Sequence, residues 1–180
     1  AVYGGRVCVN EKYKKKIIEG KISDYDGVSL YPSAIKRLCE EIGLPCGKAR
    51  RFKKEEIKDW KKKVYSIMTV KIKKVNKNQQ IPFIAYKGDN KTEYLNTSPK
   101  ENLIIDSITL EDYIKFHNIE YEIIDGVFWN DKTNKKMCDV IMKLFNERLK
   151  AKKNKQNALS NVLKLMLNSS YGKTIMKKNN

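Results

Sequence analysis

The apolar residues change their period once along the chain, and that change limits the possible folds more than any other feature. Up to about residue 130, apolar positions come in short runs or alternate with polar ones. Val70 and Ile72, for example, interleave with Lys71 and Lys73, as on a strand with one buried face. From about Thr133 they recur every three or four residues, at Met137, Ile141, Leu144, Phe145 and Leu149, as on an amphipathic helix. After a polar stretch at 152–157 a second stripe follows at Leu159, Val162, Leu163, Met166 and Leu167. The chain therefore reads as α+β, a small mixed unit followed by a helical hairpin.

Strands are expected at 7–9 and 22–25. A helix is expected at 33–42, where Pro32 fits the first turn because its missing N–H is not needed there. Gly43 stands just past its end, as a left-handed cap requires. Residues 53–63 are polar and basic, a surface helix or connector around Trp60. Further strands are expected at 65–75, at 81–86 (pushed toward a sheet edge by Pro82), at 103–108 and at 120–129, the last interrupted at Asp125 and Gly126. Asp89, Asn90 and Lys91 read as a turn. Thr109 to Asp112 resembles a capping box opening a short helix to His117. The second hairpin helix is expected at 158–171.

A length of 180 residues is about one domain. The 38 basic and 21 acidic side chains give a net charge of +17, which favours polyanion partners through steering and counterion release. A bland account stands beside it. The chain is rich in Lys, Asn and Ile, as an AT-rich genome produces without functional demand, and lysine runs such as 14–16 and 61–63 are usually solvated faces. No apolar run approaches the roughly 18 residues of a membrane span, and the opening residues lack the charged-then-apolar pattern of a signal peptide, so no export signal is expected in them. Cys8, Cys39, Cys46 and Cys138 are scattered, and the one histidine is His117. Reduced thiols in an intracellular protein are the expectation, rather than a zinc site.

Two segments can carry chemistry. In the first, Asp24-Tyr25-Asp26-Gly27-Val28-Ser29-Leu30-Tyr31-Pro32-Ser33, an aspartate leaves a short strand just before a proline-started helix. A carboxylate there can hold a divalent cation, the N–H groups of the turn can meet phosphate oxygens, and an aromatic ring can pack on a sugar. An Asp-Gly turn that merely ends a strand is the alternative. In the second, Lys164, Asn168 and Tyr171 share one helix face at i, i+4 and i+7, followed by Gly172 and Lys173. They could meet a phosphate, a sugar and a base in order, or form the polar stripe of an ordinary amphipathic helix.

Taken together and in this order, the two segments resemble the A and B motifs of family B DNA polymerases, D-x-x-S-L-Y-P-S and K-x-x-x-N-S-x-Y-G, at every defined position. Residues 146–152 are similar to that family's first fingers helix, with Arg148 and Lys152 four apart on one face. Tyr3-Gly4-Gly5-Arg6 resembles the end of the family's Y-x-G-G motif, although the first tyrosine falls on Val2. More than a hundred residues separate the two main motifs. That spacing is similar to the protein-primed polymerases of phages, linear plasmids and mobile elements, whose insertion contacts a terminal protein and DNA.

The resemblance implies a partial palm at 1–60, the insertion at 61–130, fingers helices at 131–175 and a tail at 176–180. It implies template-directed nucleotidyl transfer from dNTPs on a DNA template-primer, with two Mg²⁺ (or Mn²⁺) ions and a possible priming protein. Asp26 would ligate the metals and Lys164 would neutralise charge developing on the phosphates. Ser29, Leu30, Tyr31, Arg148, Lys152, Asn168 and Tyr171 would bind the nucleotide, with Tyr31 as the gate against a 2′-hydroxyl. Gly4, Gly5, Gly172 and Lys173 would lie along the DNA, Gly172 allowing close backbone approach. The location implied is intracellular, wherever the replicon resides, whether cytoplasm, organelle or virus factory.

The sequence departs from the family in a further respect. No Y-x-D-T-D motif, which supplies the second metal-binding aspartate, occurs in these 180 residues, and neither do exonuclease or thumb segments. The chain alone is therefore expected to have little polymerase activity. A second reading is a non-catalytic nucleic-acid or terminal-protein binding remnant of such an enzyme. A third is an unrelated basic binding protein in which both motif matches are coincidence.

Overall fold

The computed structural model describes residues 11–27, 29–88 and 91–174. The expected strand at 7–9, the Tyr3-Gly4-Gly5-Arg6 segment, Asp89, Asn90, the tail at 176–180 and the side chains of Tyr171 and Lys173 lie outside the described residues. The main elements are α1 (Leu30–Glu41), β1 (Leu44–Pro45), β2 (Arg50–Arg51), β3 (Tyr65–Val75), β4 (Ile84–Lys87), β5 (Thr92–Leu95), β6 (Leu103–Asp106), α2 (Ser107–Asp112), β7 (Ile119–Trp129), β8 (Thr133–Asn134), α3 (Lys136–Lys153) and α4 (Asn157–Thr174). They form two compact units, one from residues 1–18 and 45–131, the other from 19–44 and 132–180. The sequence-based division at 60/61 places residues 45–60 differently. Here β2 pairs with β7, and Trp60 is buried in the core of the sheet unit.

The first unit is built on an antiparallel sheet in the order β2-β7-β3-β6. The alternation read from β3 sets its inner face: Ser66, Met68, Val70 and Ile72 are buried, while Lys71 and Lys73 are exposed. Leu103, Ile105, Ile119 and Phe128 extend that face, and Leu110, Tyr113, Ile84, Phe52 and Trp60 pack with them in one core. The basic composition around Trp60 suggests a surface helix or connector. The 3₁₀ segment Lys54–Lys62 instead turns Trp60 inward, packs Ile57 beside the core and leaves its lysines outside.

β7 is continuous where a break was expected at Asp125 and Gly126. The register with β3 shifts between Thr69 and Val70, so Ile124 is accommodated as a bulge. Gly126 stays in the strand because a Cβ there would come 2.7 Å from the Ile67 carbonyl oxygen and 3.0 Å from Met68 Cα. Asp125 meets Arg51, whose Nε donates to Oδ1 at 3.2 Å and whose Nη2 donates to Oδ2. The helix after β6 begins earlier than the Thr109 capping pattern suggests. Asp106 is its cap, accepting from Thr109 N at 2.8 Å. A π-helical turn, Tyr113–His117, follows. His117 is buried, its Nδ1 3.0 Å from the Lys77 carbonyl and its Nε2 accepting from Phe83 N at 3.4 Å.

In the second unit α1 packs on α3 and α4, which also pack on each other. Pro32, Cys39, Ile141, Ala151, Leu163 and Leu167 are buried. Of the expected α4 stripe, Leu159, Val162 and Met166 remain substantially exposed, because two neighbouring helices cover only one side of α4. Gly43 closes α1 with φ +85°, its N–H donating to the Leu38 carbonyl at 2.9 Å, and a Cβ there would meet Thr133 Cβ at 2.7 Å. The expected turn between the hairpin helices is present: Lys155 has φ +57° and Gln156 N donates to the Ala151 carbonyl at 2.9 Å. The strand expected at 22–25 is not formed. Residues 21–27 are exposed and carry no secondary structure, since a strand needs a ladder partner that the described residues do not supply.

Candidate functional site

The site begins where the chain turns into α1. Ser29 precedes the helix in the left-handed region, at φ 48° and ψ 50°. That conformation costs a non-glycine residue about 1–2 kcal/mol and persists only where surrounding structure holds it. One such hold is visible: Arg148 Nη1, reaching from α3, donates to Ser29 Oγ at 3.1 Å. The first turn is closed by Ser33 N donating to the Ser29 carbonyl at 2.9 Å. Pro32 occupies the third helical position, where no intrahelical N–H is required, and its ring is buried. This turn leaves Leu30 64% and Tyr31 49% exposed. Asp26 presents an exposed carboxylate three residues ahead of Ser29.

α3 and α4 add cations. The Arg148 side chain is half-buried, and a guanidinium has five N–H donors, so the bond to Ser29 leaves capacity for an anion. Lys152 lies one turn further on and is exposed, beside Lys150 and Lys153 in the last turn of α3. On α4, Leu163 and Leu167 are buried, and Lys164 and Asn168 follow each of them by one residue as exposed side chains. Ser169 and Ser170 do not extend this polar face. Their hydroxyls donate back to the Met166 and Leu167 carbonyls at 3.1 and 2.7 Å. Gly172 has no described atom within 4 Å of the place a Cβ would occupy.

Of the residues selected from sequence, Ser29 and Arg148 are joined by a hydrogen bond across 119 positions. Asp26, Leu30, Tyr31, Lys152, Lys164 and Asn168 belong to the same compact unit and present exposed side chains. The sequence read residue by residue does not disclose the Ser29–Arg148 pairing or the strained backbone beneath it. Its only trace there is a serine placed just ahead of the helix. The metal can be tested against the donors present. Asp26 suits a hard divalent ion as one carboxylate ligand, but no group of three or more potential ligands is found among the described residues. A complete two-ion clamp is therefore not assembled from them.

A family model described as DNA polymerase type B, organellar and viral, matches residues 1–180. The chain belongs to that family. The DNA polymerases of Bacillus phages Nf and M2 are each 31% identical to it over 188 residues, covering 96% of this chain. The chain spans about 29% of the length of these relatives. Among solved structures, Phi29 DNA polymerase in an orthorhombic crystal form resembles it with a TM-score of 0.60 at 22% identity, over 83% of this chain and 25% of that one. Phi29 DNA polymerase complexed with primer-template DNA and incoming nucleotide substrates gives a TM-score of 0.59 at 26% identity, over 82% and 25%.

Proposed function

We propose that this chain is the nucleotide-binding portion of a protein-primed DNA polymerase that adds dNTPs to a primer on a DNA template. In this reading the Asp26–Tyr31 segment belongs to the palm, residues 61–130 to the insertion that meets a terminal protein, and α3 and α4 to the fingers. The observation that carries it is the Arg148–Ser29 hydrogen bond, which ties the cationic helix α3 to the turn that follows Asp26. The similar Phi29 polymerase is complexed with primer-template DNA and incoming nucleotide substrates, which supports the same partners here.

Each residue then has a task. The remaining donors of Arg148, with Lys152, grip the triphosphate tail, where a planar fork matches phosphate oxygens. Tyr31 stacks under the sugar and excludes a 2′-hydroxyl. Lys164 faces the phosphates as charge grows on them. Asn168 and Tyr171 shape the pocket for the nascent pair, and Gly172, Lys173, Gly4 and Gly5 track the DNA backbone. Asp26 would hold Mg²⁺ or Mn²⁺; a pair of such ions supplies activation of the primer hydroxyl and neutralisation of the leaving phosphates.

The test is primer extension by a full-length polymerase carrying this segment, comparing wild type with Asp26→Ala. Incorporation should vanish while primer-template affinity stays within about twofold (roughly 0.4 kcal/mol). Retained incorporation removes Asp26 from the catalytic role. If wild type binds DNA or a terminal protein but incorporates nothing, the chain is a binding module instead.

A further inference from the structure

We infer that Ser29 is a positioning residue: its hydroxyl fixes the Arg148 guanidinium without neutralising it, so that the whole positive charge is presented to a bound triphosphate. The inference rests on the reading of Arg148 as a nucleotide contact. It begins with a contrast among the arginines. Arg37, Arg50 and Arg51 each pair with a carboxylate, that of Glu41, Asp131 and Asp125 respectively. Arg148 pairs with no carboxylate among the described residues, and donates instead from Nη1 to the Ser29 hydroxyl oxygen at 3.1 Å. The sequence of α3 provides for this. The positions three and four residues from Arg148 are Leu144, Phe145, Ala151 and Lys152, none of them acidic.

A second observation concerns what the Ser29 hydroxyl does not do. A serine just ahead of a helix ordinarily turns its oxygen to an N–H of the first turn. Ser29 makes no such bond, and its backbone stands in the left-handed region at φ 48° and ψ 50°. Its oxygen serves α3 instead of its own helix. Packing alone does not fix the guanidinium. Pro32 and Ser33 of α1 and Ile141 and Phe145 of α3 line a cavity of about 210 Å³, so the two helices do not close tightly about one turn from the bond. A long side chain beside such a gap keeps one orientation only where a directed contact offsets its lost rotamer freedom.

A neutral hydroxyl suits this task better than a carboxylate. A carboxylate can take two guanidinium donors at once, cancel the charge and repel phosphate oxygens. The hydroxyl engages one of the five donors and leaves the charge intact. Arg148 is half-buried, so water and salt screen that charge less than they screen the exposed lysines nearby. Ser29 therefore acts through Arg148 and need not touch the nucleotide with its own side chain.

The test is single-nucleotide incorporation by a full-length polymerase carrying this segment, with Ser29→Ala, Ser29→Gly, Arg148→Ala and the double variant Ser29→Ala/Arg148→Ala. Ser29→Ala should raise the nucleotide KM about fivefold while kcat changes by less than about twofold. Ser29→Gly should raise KM as much, although glycine accepts the left-handed backbone without strain. In the Arg148→Ala background, Ser29→Ala should add less than about 1.5-fold to KM, because the group it acts through is gone. A Ser29→Gly enzyme with the KM of wild type overturns the inference, since the backbone and not the hydroxyl would then matter. Effects of the two single changes that multiply in the double variant overturn it as well, because Ser29 would be acting on its own. If Arg148→Ala itself leaves KM unchanged, the nucleotide role of Arg148 fails and the inference fails with it. If Arg148→Ala raises KM and Ser29→Gly does not, the inference fails alone.

Discussion

Replacing Gly172 by alanine separates the two demands that meet at the end of α4. Within a helix, glycine is about 1 kcal/mol less favourable than alanine. Gly172 stands in the last turn of a helix that ends at Thr174. Fraying at that end reduces the gain to about 0.5 kcal/mol. No packing cost offsets it, because an added methyl meets no described atom within 4 Å. For a chain of 180 residues this gain corresponds to a rise of about 1–2 °C in Tm. The same methyl would stand where the proposed function brings DNA close to the backbone. Anisotropy with a labelled primer-template at fixed low salt should then show binding about 5–10-fold weaker, or roughly 1–1.4 kcal/mol. Raised stability with unchanged affinity would refute the close-approach role of Gly172. A fall in stability would refute the open surroundings described for it.

Gly126→Ala should act in the opposite direction, because its methyl would press on the backbone of β3 beside the fully buried Met68. Overpacking of this kind costs about 1–3 kcal/mol, and an unfolding midpoint no lower than wild type would contradict the close approach. Arg51 holds the Asp125 carboxyl below the ordinary carboxylate range, chiefly by its hydrogen bond. The stability this pairing contributes is therefore present at neutral pH and is lost as pH falls through the depressed value. Acid unfolding curves of wild type and Arg51→Ala should differ on the acid limb, and superimposable curves would remove the pair from the acid response. Arg148→Ala deletes a charge-assisted bond worth about 1.5–3 kcal/mol when fully made. From its half-buried position the nucleotide KM of the full-length enzyme should rise about tenfold with template affinity little changed; the reverse pattern would place Arg148 on the template.

Strand β3 and helices α1, α3 and α4 are legible in the sequence because each is a local pattern. Alternation across 65–75 needs only a side chain above or below the sheet, and Gly43 needs only its own φ to end α1. Strand β5 is not legible, since Thr92–Leu95 has too little apolar alternation to stand out without its partner β4. The strand expected at 22–25 fails for the converse reason: a suitable local sequence finds no partner among the described residues.

Gly126 shows where local reasoning stops. Beside Asp125 it looks like a turn, yet it serves as the one residue small enough to lie against the Ile67 carbonyl. The site divides along the same line. The spacing of Asp26, Ser29 and Tyr31, and of Lys164 and Asn168, is written in consecutive residues, because one turn and one helix face arrange them. The donation from Arg148 to Ser29, and the left-handed backbone it helps hold, arise only when α3 is packed on α1. Backbone geometry and helix faces follow from neighbours in the chain, whereas a contact between positions 119 residues apart exists only once the burial of side chains such as Pro32 and Ile141 has brought the two helices together.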